Sequence, residues 1–262
     1  MTDTERIVIT SDLQIPFHNP RQVASHIRFI RDYQPDRVIN IGDLTDFPEP
    51  SRWSKSTRAE FENSIDHHVE TTKRVYFDPL RKVYDGPIGM HIGNHDLRPL
   101  DYKMRYAPAL DRPDPTTDPY YYANLLDFDG YGVTDLGDVH KLANGWYSMH
   151  GHRGPSIRPV AGGTAIGYAR KEHYSVVMGH THRMGWIPET YGSGDRAQVV
   201  RGIEVGHMMD PKKAGYIQKK GGYANWQAGF FVLTIVKNWV QATPIEFQNK
   251  EGVFLFADRV WK

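Results

Sequence analysis

The chain has 262 residues, 39% of them hydrophobic, which is enough for one large α/β core, and its 32 Lys and Arg nearly balance 31 Asp and Glu. A formal net charge of +1 excludes the global basic field of a nucleic-acid coat or a membrane-surface protein. With no cysteine, disulfide scaffolds, thiolate metal sites and thiol nucleophiles are excluded together, so a metal would fall to His, carboxylate and amide ligands.

Residues 1–6 lack the basic-then-apolar pattern of a secretory signal, and no apolar run reaches membrane-spanning length, so a cytoplasmic protein without a membrane partner is expected. The β-branched run 7–11 ends at Asp12, and 37–42 repeats the design before Asp43. Between them, Asn19-Pro20 reads as N-cap and first helical position, with Val23, Ile27 and Ile30 at helical spacing, which predicts a β-α-β unit with parallel strands. A second helix is expected from about Thr57, forming a capping box with Glu60 and carrying Phe61, Ile65, Val69, Tyr76 and Leu80 on one side; Pro79 should kink or interrupt it. Residues 88–93 give a third buried strand that delivers Asn94-His95-Asp96. The Tyr- and Pro-rich stretch 97–129 reads as an insertion loop or cap within a single domain covering 1–262. Beyond it, 146–149 leads to His150-Gly151-His152, a helix is expected over 165–173, and 175–178 leads to Gly179-His180-Thr181-His182. From Val199 onward the chain reads as short strands at 199–200, 230–236, 239–242 and 253–256.

Asp12, Asp43, Asn94-His95, His150 and His180/His182 each stand where an apolar run stops and a polar loop begins. That placement is what a two-metal hydrolytic site on an open α/β scaffold requires. A lone His is more often a packing or surface residue, and His18, His26, His67, His68, His91, His140 and His173 are read that way. Asp12 and Asp43 could be turn residues after strands, but Gly42 before Asp43 and the later Gly93-Asn94-His95 argue for ligands. Two imidazoles flanking Thr181 after a buried strand are hard to produce by packing. Asp96 reads as a surface or outer carboxylate, and His207, in a turn with Asp210-Pro211, is assigned at most to the site rim.

These pieces resemble the calcineurin-like metallophosphoesterase superfamily, whose signature runs Asp-x-His, Gly-Asp-x-x-Asp, Gly-Asn-His-Asp/Glu, a solitary His, then Gly-His-x-His. Here they stand as Asp12-Leu13-Gln14, Gly42-Asp43-Leu44-Thr45-Asp46, Gly93-Asn94-His95-Asp96, His150 and Gly179-His180-Thr181-His182. In detail the chain looks most like phage and prophage-encoded members, with Phe47 leading on to Ser51-Arg52-Trp53 and with Asn225-Trp226-Gln227 downstream. The resemblance implies a four-layer α/β/β/α sandwich and two divalent metal ions. Asp12, His182 and, in place of the usual His, Gln14 would hold the first; Asp43 would bridge; Asn94, His150 and His180 would hold the second. A hydroxide bridging the cations would attack phosphorus, His95 would serve as general acid, and Asp46 would orient that imidazole. Arg98 and His152 are the substrate contacts expected beside them.

Two departures from the family pattern refine the expectation. An amide oxygen at Gln14 suits Mn2+ better than Zn, so Mn2+ is expected ahead of Fe, Zn, Ni or Mg, and the Mn-dependent ADP-ribose/CDP-alcohol diphosphatase branch also carries Gln there. Phe47 stands where Ser/Thr protein phosphatases have Arg, which shifts the expected substrate from phosphomonoesters toward diesters or pyrophosphates. The function expected is therefore hydrolysis of a phosphodiester in a nucleotide or short nucleic acid, a cyclic nucleotide included. The alternatives are a nucleotide diphosphatase or a catalytically inactive scaffold. The tyrosines of 97–129 could stack a nucleobase or pack at a dimer interface, and Arg52, Lys55 and Arg58 could form a local groove. No protein partner is inferred, and a phage-encoded chain would work in the host cytoplasm.

Overall fold

The computed structural model describes residues 4–52, 54–154, 156–213 and 224–262, so Trp53 and residues 1–3 lie outside the described residues. Strand β1 (Thr4–Thr10) leads to helix α1 (Pro20–Tyr33), β2 (Arg37–Asn40), α2 (Ile65–Thr72), α3 (Asp78–Arg81) and β3 (Ile88–Met90). Then come α4 (Arg98–Tyr106), α5 (Tyr122–Leu125), α6 (Phe128–Tyr131), β4 (Val133–Asp135), β5 (His140–Ala143), β6 (Trp146–Met149), α7 (Gly163–Glu172) and β7 (Ser175–Met178). Two hairpins follow, β8 (Met184–Tyr191) with β9 (Gln198–Val205) and β10 (Gly229–Val236) with β11 (Trp239–Glu246), before the short pair β12 (Phe254–Phe256) and β13 (Arg259–Trp261).

Strand order in the first sheet is β11-β10-β1-β2-β3-β4, with β1 to β4 mutually parallel. The second sheet runs β5-β6-β7-β9-β8, with β6, β7 and β9 parallel. Side chains alternate across each strand, and the alternation sorts the core. Ile7, Ile9, Ile39, Phe231 and Leu233 of the first sheet meet Trp146, Val177, Ile203 and Val205 of the second. Their neighbours Val8, Val38 and Phe230 join Phe29 and Ile30 of α1 and Tyr76 and Leu80 of the α2–α3 stretch. Ala165, Ile166 and Ala169 of α7 pack with Val176, Met178 and Val200 on the far side. Three apolar layers thus separate four structural ones, which is the α/β/β/α sandwich that the resemblance implies.

Helix α1 begins as its sequence predicts, with Asn19 Oδ1 accepting the N–H groups of Arg21 and Gln22 and Pro20 in the first turn. The second helix starts later than expected. Thr57 donates its hydroxyl to the Ser54 carbonyl, Glu60 accepts the Ser56 N–H, and Arg58–Phe61 is a single 3-10 turn with Phe61 80% exposed. The working cap is Ser64, which accepts the His67 N–H at the head of α2. Before Pro79, which has no N–H to donate to the preceding turn, the helix widens into a π turn over Lys73–Phe77 and continues as α3.

The stretch 97–129 contains the helical turns α4, α5 and part of α6 rather than only loop, and Tyr122, Leu126 and Phe128 join the first apolar layer. Lys103 bonds to Asp118 with both side chains buried. Strand β8 escaped prediction because it is an edge strand carrying Pro188, which a central strand would not tolerate. Among the described residues, no helix is long and apolar enough to cross a membrane.

Helix α7 rests almost backbone to backbone on β9. A Cβ built on Gly202 would lie 2.1 Å from Ile166 N and 2.5 Å from Ala165 C. Gly202→Ala is therefore expected to destabilise the fold by ~1–3 kcal/mol through overpacking, read as a lower urea midpoint at constant m-value. An unchanged midpoint would show that α7 can lift away freely.

Candidate active site

The parallel strands β1, β2, β3, β6 and β7 end on one side of the sandwich, so the loops that follow them converge there. Those loops turn sharply. Asp12, Gln14, Asp43, Phe47, His180 and His182 have φ of 53°, 49°, 53°, 46°, 67° and 59°. Left-handed backbone in residues other than glycine costs on the order of 1–3 kcal/mol each and persists only where the surroundings over-determine it. Here the first two loops hold each other: Asp12 N–H bonds Gly42 O at 3.1 Å, Gln14 N–H bonds Asp43 O at 3.0 Å, and Asp46 N–H bonds Ile15 O at 2.8 Å. Gly93 is required by close approach, since a Cβ there would lie 2.1 Å from Asp43 Oδ1.

Asp96 ties the second loop to the third. Its Oδ2 accepts the N–H of Asp43 (2.7 Å) and of Gly93 (2.9 Å), and Oδ1 accepts the N–H of Thr45 (2.9 Å). The residue is fully buried, which removes the surface alternative and leaves it as the carboxylate that holds the site loops from outside. Burial and then the charge of Asp43 push its pKa up to about 7, against the pull of the Thr45 and Gly93 N–H groups.

Asp43, His150 and His180 each place a ligand atom within 4.8 Å of the other two. Asp43 Oδ1 accepts the His95 N–H at 2.8 Å, which leaves Oδ2 facing His150 Nε2 at 3.3 Å. His150 Nδ1 donates to the Ile41 carbonyl at 2.7 Å, so in the neutral ring the lone pair sits on Nε2, 3.3 Å from Asn94 Oδ1. His152 stacks near this group, its ring 5.3 Å from that of His150 and 6.5 Å from that of His180, with both nitrogens buried and without a hydrogen-bond partner.

Asp12, Gln14 and His182 form the adjoining set. Asp12 Oδ2 is held by the Ser11 hydroxyl and the His180 N–H (2.9 Å). Its Oδ1 is buried without a hydrogen-bond partner, 3.2 Å from His182 Nε2, and Gln14 Nε2 lies 3.1 Å from the same ring nitrogen. A buried carboxylate oxygen left without a donor is costly. Oxygen, imidazole and amide donors around it fit a divalent cation. Burial pushes both carboxyls toward the neutral form, but His182 beside Asp12 and His150 beside Asp43 outweigh it and hold both below the usual range.

His95 stands at the edge of this cluster, with Nδ1 bonded to Asp46 Oδ1. Burial works against its charged form, yet Asp43 and Asp46 outweigh that and raise its pKa. Arg98 closes the edge: it pairs with Asp46 Oδ2 at 3.1 Å, donates to the Asp46 carbonyl, and sets Nη2 3.1 Å from His95 Nε2. A guanidinium only donates, so in this conformation Nε2 accepts and the ring proton sits on Nδ1. Arg98, with its side chain 16% exposed, is thus engaged with the Asp46 loop and is not a solvated surface residue.

Sequence reasoning missed Glu204 and gave Trp226 no role. Glu204 is fully buried; Oε1 accepts the Thr164 and Ala165 N–H groups at the head of α7, and Oε2 accepts the Thr181 hydroxyl between His180 and His182. Its signal was a lone carboxylate in the apolar run Ile203-Glu204-Val205. Trp226 packs edge-on against His182 with ring centroids 4.3 Å apart, Gln227 N–H donates to the His182 carbonyl, and His207 lies 5.7 Å from His182. The Asn225-Trp226-Gln227 motif therefore backs the last histidine of the site. Of the histidines read as packing residues, His91 is satisfied by Gly137 O and Ser148 Oγ, and His68 pairs with Glu49.

The calcineurin-like phosphoesterase family model matches residues 5–184, the span from β1 to the end of the His180/His182 loop. The gene 54 proteins of Mycobacterium phages L5 and D29 are each 44% identical over 260 residues, covering 99% of this chain and 99% of theirs. Among solved structures, Vps29 of Chaetomium thermophilum is 11% identical, with a TM-score of 0.46 over 98% of this chain and 93% of its own.

Asp96→Asn replaces one acceptor oxygen with a donor facing backbone N–H groups. The variant is expected to lose ~1–3 kcal/mol of stability and to bind divalent metal more weakly, measured by thermal melting with and without added Mn2+. Equal melting temperatures and equal Mn2+ shifts would show that the loops do not depend on this carboxylate.

Proposed function

The chain belongs to the calcineurin-like phosphoesterase family, and from that premise we propose that it hydrolyses a phosphodiester in a nucleotide or short nucleic acid. The observation that carries this reading is the convergence of Asp43, His150 and His180 beside the Asp46–His95 pair. Two divalent cations, one held by Asp12, Gln14, Asp43 and His182 and the other by Asp43, Asn94, His150 and His180, would supply Lewis-acid charge at the phosphoryl oxygens and an activated water. Gln14 favours Mn2+ among them.

The residues of the chain do the rest. Asp46 holds His95 through Nδ1 and offsets the charge the ring gains on protonation, which leaves Nε2 to hand a proton to the leaving oxygen. For that nitrogen to donate, Arg98 must turn away from it, and the freed guanidinium is then placed to meet a phosphoryl oxygen on the leaving-group side. Phe47 is fully buried against His68 and Tyr122, so its position offers no cation to a phosphomonoester dianion, which supports a diester substrate. The second reading, a nucleotide diphosphatase, rests on Gln14 at the first metal set; it keeps the same acid and ligands and changes only the leaving group.

Chelator-stripped protein is expected to hydrolyse bis(p-nitrophenyl) phosphate only after Mn2+ is added. A folded, metal-loaded sample without turnover would favour the diphosphatase or an inactive scaffold.

His95→Ala is expected to keep its metal and lose roughly 10²–10⁴-fold in rate, most with an alkoxide leaving group and least with p-nitrophenolate, which needs little acid assistance. Asp43→Asn is expected to lose metal as well, read as metal content after gel filtration. Equal rates for His95→Ala and the parent on every diester would remove the acid from this assignment.

A further inference from the structure

Helix α4 starts at Arg98, the residue that touches the acid, and runs outward from the site. Arg98, Tyr102 and Tyr106 recur at four-residue spacing, so they share one helical face with steps of ~6 Å along the axis. The other side of the helix is fixed, with Pro99, Leu100 and Lys103 buried and Lys103 ion-paired to Asp118 and Asp111. The tyrosines stay at the surface, 37% and 47% exposed, with ring centroids 4.6 Å apart and planes inclined at 52°. Lys55, from the neighbouring turn, sits over both rings, 3.2 Å from the Tyr106 centroid and 5.9 Å from that of Tyr102. Lys55 and then Arg105 at the Tyr106 hydroxyl hold its pKa below the usual value. The facing acids are Glu60, 3.5 Å from the Tyr102 hydroxyl, and Asp101 on α4 itself. Next to Glu60, Phe61 adds a further aromatic face, 80% exposed.

Single exposed aromatics need no explanation, but a tilted tyrosine pair capped by one cation, flanked by a second and joined to a third at the acid is a different surface. Aromatic faces that accept bases, set among cations that meet phosphates, are how single strands are held without sequence readout. We infer that α4 is a single-strand nucleic-acid track. The strand beyond the scissile bond, on the leaving-group side, lies along Arg98, Tyr102 and Tyr106, with bases on the tyrosines and phosphates near Lys55 and Arg105. The side follows from His95, whose Nε2 faces the leaving oxygen and borders Arg98. This rests on the phosphodiesterase reading and narrows it: a linear strand gains the track, while a cyclic nucleotide, whose leaving oxygen stays on its own sugar, does not.

The test uses the full chain and a short fluorescein-labelled oligothymidylate. Fluorescence anisotropy in chelator reads binding alone; with Mn2+, kcat and KM are read for the same strand and for bis(p-nitrophenyl) phosphate. A Tyr102→Ala/Tyr106→Ala variant is expected to bind the strand roughly 5- to 150-fold more weakly for each stacked base lost. Its strand-to-small-diester ratio of kcat/KM should fall through KM, and Tyr102→Phe/Tyr106→Phe should retain both. Parent-like strand affinity in the alanine variant would overturn the track and leave that surface to a protein partner. Should the parent cleave neither substrate, the phosphodiesterase reading fails, while the anisotropy comparison still decides the track.

Discussion

Three backbone N–H groups from two loops converge on one buried carboxylate, that of Asp96, and the geometry of the site hangs on that junction. The loop after β2 carries Asp43 and Asp46; the loop after β3 carries Asn94 and His95. The loop after β2 could not hold its left-handed Asp43 and Phe47 alone, because a polar loop with its N–H groups unpaired would relax toward ordinary backbone. Gly93 lets the two loops approach closely enough for one side chain to span them. His95 and Asp43 are thereby fixed relative to each other by the fold itself: His95 N–H bonds Asp43 Oδ1. That is preorganisation in a specific sense, with the folding energy of the sandwich holding a strained arrangement that local sequence disfavours.

The second sheet solves the same problem with Glu204. Its carboxylate spans the head of α7 and the Thr181 hydroxyl, so the loop bearing His180 and His182 is anchored to a helix that is itself packed on β9. The two staples differ in their electrostatics. Burial and then the neighbouring Asp43 raise the pKa of Asp96, whereas Glu204 faces helix-terminal N–H groups, a favourable place for a negative charge. A carboxylate suits both places because its two oxygens accept three donors here without presenting a donor of their own, whereas a hydroxyl or an amide has one acceptor oxygen and carries N–H or O–H groups.

Much of this was legible in the sequence, and the limits have physical reasons. Strand-then-polar-residue punctuation located β1, β2, β3, β6 and β7, since buried parallel strands are continuous apolar runs and stop abruptly. The short or edge strands β4, β5 and β8 carry no such signal, and Pro188 in β8 actively disguises it. Thr57 and Glu60 have the right spacing for a capping box, yet Ser64 caps the helix, because the periodic apolar face begins at Ile65 and leaves Phe61 outside. Whether Asp96 lay at the surface or behind the site stayed open in the sequence, since its partners are backbone groups, which leave no trace in residue types. The tie of Arg98 to the Asp46 loop was hidden for the same reason, as two of its acceptors are the carbonyls of Asp46 and Phe47.

The residues of the candidate site follow strands of both sheets: Asp12, Gln14, Asp43 and Asn94 the first, His150, His180 and His182 the second. The distance between the two halves is set by the apolar layer between the sheets, where Ile7, Ile9 and Ile39 meet Val177, Ile203 and Val205. Packed sheets stand about 10 Å apart, and metal-ligand distances tolerate only about 0.2 Å. A change of one methylene in that layer is therefore a change in the site. Exposed loops would drift independently of such a layer, but these are bonded across it, as His150 Nδ1 to Ile41 O and His180 N–H to Asp12 Oδ2 show. Each bond carries the register of one sheet to the other, so the geometry of the candidate site and the inter-sheet packing are one constraint.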